Sequence, residues 1–222
     1  MKVGKIAALR DMVPIRPLDR IEAMRIAELQ AKRLLELSDV TAPPVPESVI
    51  ANLPFIQVER FASLPVSGAA RWASQRWVIL LNSSESYGRQ RFSLAHELKH
   101  ILDHRFAEVI YSSIPMSEQQ HSIERICDYF AGCLLMPRSW LLHASMSGNR
   151  STRDLATRFE TSEVAIRVRL QQIGVDYAAR DRCASGPSTW SSPNSITRYR
   201  YSRRHRRPSR IPTERQLHEQ RN

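Results

Sequence analysis

The sequence predicts an α+β fold, mainly helical with a small three-stranded sheet, followed by a helix-turn-helix-like C-terminal unit and a disordered basic tail. Three observations lead there. Apolar residues recur at three- and four-residue steps in long stretches on both sides of residue 60, and a group of short β-type runs lies between residues 55 and 81. Residues 178–222 hold eleven arginines, seven serines and four prolines, and their apolar residues follow no helical or strand period.

After an irregular start (1–18), Ile21, Met24, Ala27, Leu29, Leu34, Leu35 and Leu37 lie among charges at helical spacing. They predict a helix over 19–37, with Asp19 as the cap ahead of Glu22. The run Thr41-Ala42-Pro43-Pro44-Val45-Pro46 ends it, because proline removes a donor and bars helical geometry at the residue before it. Three strand candidates follow at 55–60, 69–73 and 77–81, read as a sheet joined by Ser-Gly turns. From Gly88 the pattern is helical again, and Phe92, Ala95, Leu98, Ile101 and Leu102 predict a helix over 89–104. A second helix begins near Ser117, where Ser-x-x-Gln resembles a capping box, and runs through Ile123, Ile126, Phe130, Leu134 and Leu135 to Pro137. Two short helices, 151–159 and 162–172, complete the body. The resulting organisation is an irregular segment (1–18), a main domain (19–145), a helix-turn-helix-like subdomain (146–177) and the tail (178–222).

The charge of +11 over 222 residues divides unevenly. The tail, whose acids are Asp181, Glu214 and Glu219, carries +8, and the body only +3, which is ordinary for a globular domain. Arg198-Tyr199-Arg200-Tyr201 and Arg203-Arg204-His205-Arg206-Arg207 suit weak nucleic-acid binding by phosphate contact and stacking, although a solvated appendage has the same composition. Mean hydropathy of −0.40 and the lack of a long apolar run exclude a membrane-spanning class. The run Ile6-Ala7-Ala8-Leu9 is too short for a signal-peptide core, so a cytoplasmic address is expected. Cys127, Cys133 and Cys183 form no CxxC pair and read as reduced thiols.

The first of the two long helices contains His96-Glu97-Leu98-Lys99-His100. A step of four residues is just over one turn, so both imidazoles leave one face and can meet a single ion. This pattern predicts one Zn2+ per chain held by His96 and His100, with Glu97 as general base towards a water. A hydrolytic zinc needs a third protein ligand and an open position. Glu124 on the second helix suits the first need, and Asp128, one turn later, can orient the imidazole of His96. His104 continues the histidine stripe, but its Cα lies roughly 12 Å along the helix from that of His96, a poor span for one tetrahedral ion. The metzincin spacing fails, since positions 103 and 106 hold Asp103 and Phe106 rather than glycine and histidine. Cys127 could supply a thiolate, yet beside the apolar face it reads more simply as a core residue. His121 is a candidate donor to a developing oxyanion, and His143 reads as a surface or structural histidine.

The stretch Arg89-Gln-Arg-Phe-Ser-Leu-Ala-His-Glu-Leu-Lys-His-Ile-Leu-Asp-His104, followed by Glu124-Arg-Ile-Cys-Asp-Tyr-Phe-Ala-Gly-Cys-Leu-Leu-Met-Pro137, resembles the ImmA/IrrE family of metallo-endopeptidases. The likeness runs from about residue 20 to 175 and implies a zincin-like, gluzincin-type domain. In it His96, His100 and Glu124 match the metal ligands and Glu97 the catalytic glutamate. Lys99 stands where a glycine is common, adding a cation near the site, and Cys127-Asp128 where Ala-Asn is usual. The resemblance further implies cleavage of helix-turn-helix repressors to relieve transcriptional repression, often on mobile elements or in stress responses. The family often carries a helix-turn-helix-like segment after the core, and residues 154–174 look like one. Leu155 and Phe159 would then pack on Ile166, Leu170 and Ile173, with Arg167 and Arg169 as candidates to face DNA. A unit that only completes the fold or docks the substrate has the same pattern. The rival reading of the whole chain is a DNA-binding or antitoxin-like regulator whose zinc domain senses metal or a partner without proteolysis.

Overall fold

The computed structural model describes residues 4–147 and 151–175; the tail (178–222), its expected disorder and Cys183 lie outside the described residues. The N-terminal segment expected to be irregular contains a helix, α1 (Lys5–Arg10), and buries Leu9, Val13 and Leu18. A six-residue helix is unstable alone, so its sequence carries little periodic signal and tertiary contacts must hold it. The Arg10 guanidinium donates to the carbonyl of Ile101 at 2.8 Å, and the Gln30 amide donates to that of Leu9 at 2.9 Å. The next helix, α2 (Arg20–Leu37), begins where the cap predicts, with the Asp19 carboxylate accepting from the Glu22 N–H at 2.8 Å. Its buried face includes Ala23, Ala27, Ala31 and Leu34. A single turn, α3 (Ser48–Ala51), leads into the sheet.

The sheet is mixed. Strands β1 (Ile56–Phe61), β2 (Gly68–Ala73) and β3 (Arg76–Asn82) lie in the order β1-β3-β2, with β1 parallel and β2 antiparallel to β3. Val78, Ile79, Leu80 and Leu81 are buried, as a central strand requires. The Ser-Gly turn expected at residues 67–68 does not form: Gly68 is already in β2, opposite Leu81. The β2–β3 hairpin turns instead on Ser74 and Gln75, both left-handed at φ 48° and 59°, as a two-residue turn needs to match strand twist.

Helix α4 (Tyr87–Asp103) covers the sheet and packs against α6 (Met116–Leu135), and a short α5 (Ala107–Ile110) lies between them in sequence. Leu94, Leu98, Ile101 and Leu102 of α4 share one core with Ile126, Phe130 and Leu134 of α6 and with the apolar face of α2. The capping box expected at Ser117 is not made. Pro115 itself occupies the N-cap position of α6, where it has no side-chain oxygen to accept from the first-turn N–H groups.

The remaining helices are α7 (Arg138–Met146), α8 (Thr152–Phe159) and α9 (Glu163–Gln172). Ser151 and Ser162 cap the last two through the N–H groups of Asp154 and Ala165. Leu155, Phe159, Ile166 and Leu170 belong to the main core. Two buried arginines tie this pair down. Arg91 of α4 donates to the carbonyls of Val45, Phe159 and Glu160, and pairs with the Glu160 carboxylate at 2.6 Å. Arg169 of α9 donates to the Met136 carbonyl at 3.2 Å and lies 5.2 Å above the Tyr129 ring. No described helix is long and apolar enough to cross a membrane.

Candidate metal centre

Because α4 and α6 meet through leucine, isoleucine and phenylalanine side chains, the polar stripe beside each seam is forced into contact. The result is a cluster around His96. Its Nδ1 lies 2.9 Å from Oδ1 of Asp128, and its Nε2 lies 3.2 Å from Oε2 of Glu124. Nε2 of His100 is 3.0 Å from Nε2 of His96 and 3.6 Å from Oε1 of Glu124. Gln120, one turn before Glu124 on α6, donates to Oε1 of that carboxylate at 2.7 Å. The cluster faces solvent on its α6 side: the side chains of Glu124 and Asp128 are 43% and 50% exposed, that of His96 only 14%.

The donor set fits a single tetrahedral cation. Two ligands at about 2.05 Å from an ion with tetrahedral angles stand about 3.3 Å apart. The nitrogen–nitrogen and nearest nitrogen–oxygen separations here are 3.0, 3.2 and 3.6 Å, and they join atoms from two different helices. Asp128 accepts from Nδ1 of His96 and so orients the ring with Nε2 towards Glu124 and His100, the nitrogen that would bond a metal once its proton is displaced.

The charges follow from this packing. Burial alone would lower the His96 pKa, but its hydrogen bonds to Asp128 and Glu124 and the nearby carboxylates raise it to about 9. The same hydrogen bond to His96 holds Glu124 below the usual carboxyl range. Burial, then the charge on His96, pulls His100 down and favours its neutral, lone-pair-bearing form. Glu97 is buried, and desolvation pushes its carboxyl up to about 7 against the opposing pull of His96, with Glu124 adding to the rise. Its carboxylate rests on Gly68 of β2, where a Cβ would come within 3.3 Å of both Cγ and Oε1.

A family comparison matches residues 56–171, which hold the sheet, helices α4 and α6 and nearly all of α8 and α9, to the IrrE N-terminal-like domain of a peptidase family. The chain belongs to the ImmA/IrrE family. Among curated ImmA/IrrE relatives, the radiation response metalloprotease IrrE of Deinococcus deserti is 32% identical over 110 residues, which is 48% of this chain and 37% of that protein. The match thus spans well under half of the relative's length. A solved Mycobacterium tuberculosis transcriptional regulator has a similar fold, with a TM-score of 0.57 at 19% identity over 76% of this chain and 52% of that one.

Other residues singled out in the sequence of this ImmA/IrrE member fall in different places. His104 caps the end of α4, with its ring edge-on to Trp77 at 4.9 Å. His121 is exposed on α6 and takes part in none of the hydrogen bonds or ion pairs of the cluster. Lys99 is a buried cation near the site: its ammonium donates to Gln30 at 2.8 Å and pairs with Asp103 at 2.7 Å, and its charge adds to the lowering of His100 by burial and by His96. Arg169, a candidate DNA contact, is 2% exposed and engaged with Met136, Gln172, Glu28 and Tyr129, so it has no face to offer DNA. Arg167 lies at the surface, paired with Glu163 at 3.0 Å. Sequence reasoning does not bring Gly68 or Gln120 to the site, and Cys127, a possible thiolate by type, reads there more simply as a core residue. Cys127 is indeed fully buried, yet its sulfur lies within 4.8 Å of the imidazole ligand atoms of His96 and His100. An isolated glycine inside a strand, and a cysteine three residues after Glu124 on one helical face, were the signals available.

Proposed function

We propose that this chain is a cytoplasmic zinc-dependent endopeptidase that cuts a helix-turn-helix repressor at a restricted site, using one Zn2+ held by His96, His100 and Glu124. The convergence of these three donors at separations suited to one tetrahedral ion is the observation that carries this reading. When bound, the ion supplies Lewis acidity towards a carbonyl oxygen and makes a water molecule more acidic.

The protein's own groups do the rest. Asp128 holds the Nδ1 proton of His96 and keeps that ring in its ligating tautomer. Glu97 stands between the two histidines in sequence and is buried beside them, where desolvation raises its basicity. Its carboxylate takes the proton of the attacking water and delivers it to the leaving amine, work suited to a carboxyl whose pKa lies near neutrality. Gly68 gives Glu97 room against the strand backbone. The catalytic domain is 19–145. The α8–α9 pair within 146–177 completes that domain or docks the substrate, a role supported by the burial of Arg169 and Arg91 beneath it.

Glu97→Gln tests this reading. The variant should fold and keep its metal while cleavage of a co-expressed repressor falls to background. A Glu97→Gln protein that cuts as well as the parent would overturn the mechanism.

A further inference from the structure

Gln120 has no part in the scheme above, although it touches one of the three donors. On α6 it stands four residues before Glu124, one turn away on the same face, and its amide donates to Oε1 of that carboxylate at 2.7 Å. The distance is at the short end for N–H···O, as an ionised acceptor makes it. The two oxygens of Glu124 therefore have different surroundings. Oε2 lies 3.2 Å from Nε2 of His96, whereas Oε1 lies 3.6 Å from Nε2 of His100 and carries the Gln120 hydrogen bond. Gln120 itself is exposed, so the packing of α6 does not depend on it.

We propose that Gln120 is a positioning residue that fixes Glu124 as a one-oxygen ligand, with Oε2 on the ion and Oε1 held back by the amide. The proposal rests on the metal centre of the preceding subsection. A carboxylate beside a cation can bind through one oxygen or straddle it with both. Here both oxygens lie within 3.6 Å of an imidazole ligand nitrogen, so the shape of the site alone does not choose. The Gln120 bond does, because tipping Oε1 onto the ion would break a charge-assisted hydrogen bond. Two imidazoles and one oxygen then fill three corners of a tetrahedron, and the fourth stays open for the water that hydrolysis requires. A Gln–Glu pair at this spacing does little on a bare helix. It gains leverage here because the acceptor is a ligand, and hydrogen-bond partners of ligands typically change metal affinity by about 10–100-fold.

Metal binding tests this without reference to activity. Gln120→Met keeps the length of the side chain and its helix propensity but has no donor. Its Zn2+ affinity, measured on metal-free full-length protein against a competing chelator, should fall about tenfold, and that of Gln120→Ala likewise. In a Glu124→Ala background the same Gln120→Met change should shift affinity by less than about twofold, because the group it positions is gone. With Co2+ in place of Zn2+, the visible bands of Gln120→Met should weaken, as the freed second oxygen takes the metal from four ligands to five. Wild-type affinity in both Gln120 variants, an equal loss in the Glu124→Ala background, or cobalt bands identical to those of the wild type would each overturn the proposal and leave the His96–His100–Glu124 centre standing. Failure of the wild type to bind Zn2+ or Co2+ at one equivalent would instead remove the metal centre, and this role of Gln120 with it. Where Glu124→Ala binds too weakly for that comparison, the cobalt bands of Gln120→Met against those of the wild type decide.

Discussion

The carboxylate of Asp128 and Nδ1 of His96 stand 2.9 Å apart across the α4–α6 seam, so the far nitrogen of that ring is aimed at Glu124 and His100. Removing the acceptor should leave both helices intact, since the Asp128 side chain is half exposed. Asp128→Ala should therefore weaken zinc binding by about 10–100-fold, read by competition with a chromophoric chelator. Asp128→Asn, whose amide oxygen can still accept from Nδ1–H, should recover most of that loss. Equal affinities for the alanine variant and the wild type would show that the ring needs no such anchor.

Glu97 depends on a different neighbour. A methyl group on Gly68 would meet Glu97 and Ser93 at 3.2–3.3 Å, inside comfortable contact, so Gly68→Ala must displace the Glu97 side chain or tilt β2. The expected outcome is a fall in kcat of about tenfold or more with zinc stoichiometry unchanged, as befits a disturbed proton-transfer geometry. A variant with wild-type kcat would mean that the Glu97 carboxylate has freedom this packing does not suggest.

Much of this arrangement was legible in the sequence because its signals are local. The four-residue histidine step, the Glu124 to Asp128 step, the Asp19, Ser151 and Ser162 caps and the apolar run of β3 each depend on one helix or strand alone. What escaped depends on contacts between segments distant in the chain. The α1 helix exists because Gln30 and the α4 carbonyls bind it. Lys99 reads only as a cation near the site and Arg169 as a candidate DNA contact until tertiary structure supplies Asp103 and Gln30 to one, and Met136, Glu28 and Tyr129 to the other. Gly68 carried a turn signal, but pairing with β3 drew it into a strand.

Lys99 and Asp103 form a buried ion pair at 2.7 Å, with Gln30 on the ammonium and the Tyr111 hydroxyl on the carboxylate. Both charged side chains are almost wholly enclosed. Lys99→Met would leave the carboxylate in the core without its cation, and should lower unfolding stability by about 3–5 kcal/mol. Combining it with Asp103→Leu should restore more than half of that loss, because removing both charges also removes their desolvation cost. Denaturant unfolding of the three proteins measures this. A single variant within about 1 kcal/mol of the wild type would mean that water reaches the pair.

Arg169 separates a structural from a DNA-contacting role for α9. Its guanidinium joins the Met136 carbonyl, Gln172, Glu28 and the Tyr129 ring, and so links α9 to both α6 and α2. Arg169→Ala forfeits a buried charge-assisted hydrogen bond and a desolvated cation–π contact, and should cost about 2–4 kcal/mol of stability. Arg167→Ala, at the surface and paired with Glu163, should stay within about 0.5 kcal/mol. Thermal unfolding gives the first comparison, and duplex DNA binding at several salt concentrations gives the second. If Arg169→Ala leaves stability unchanged while its salt-dependent DNA affinity drops, the guanidinium has turned outwards in solution, and α9 reads DNA rather than anchoring the core.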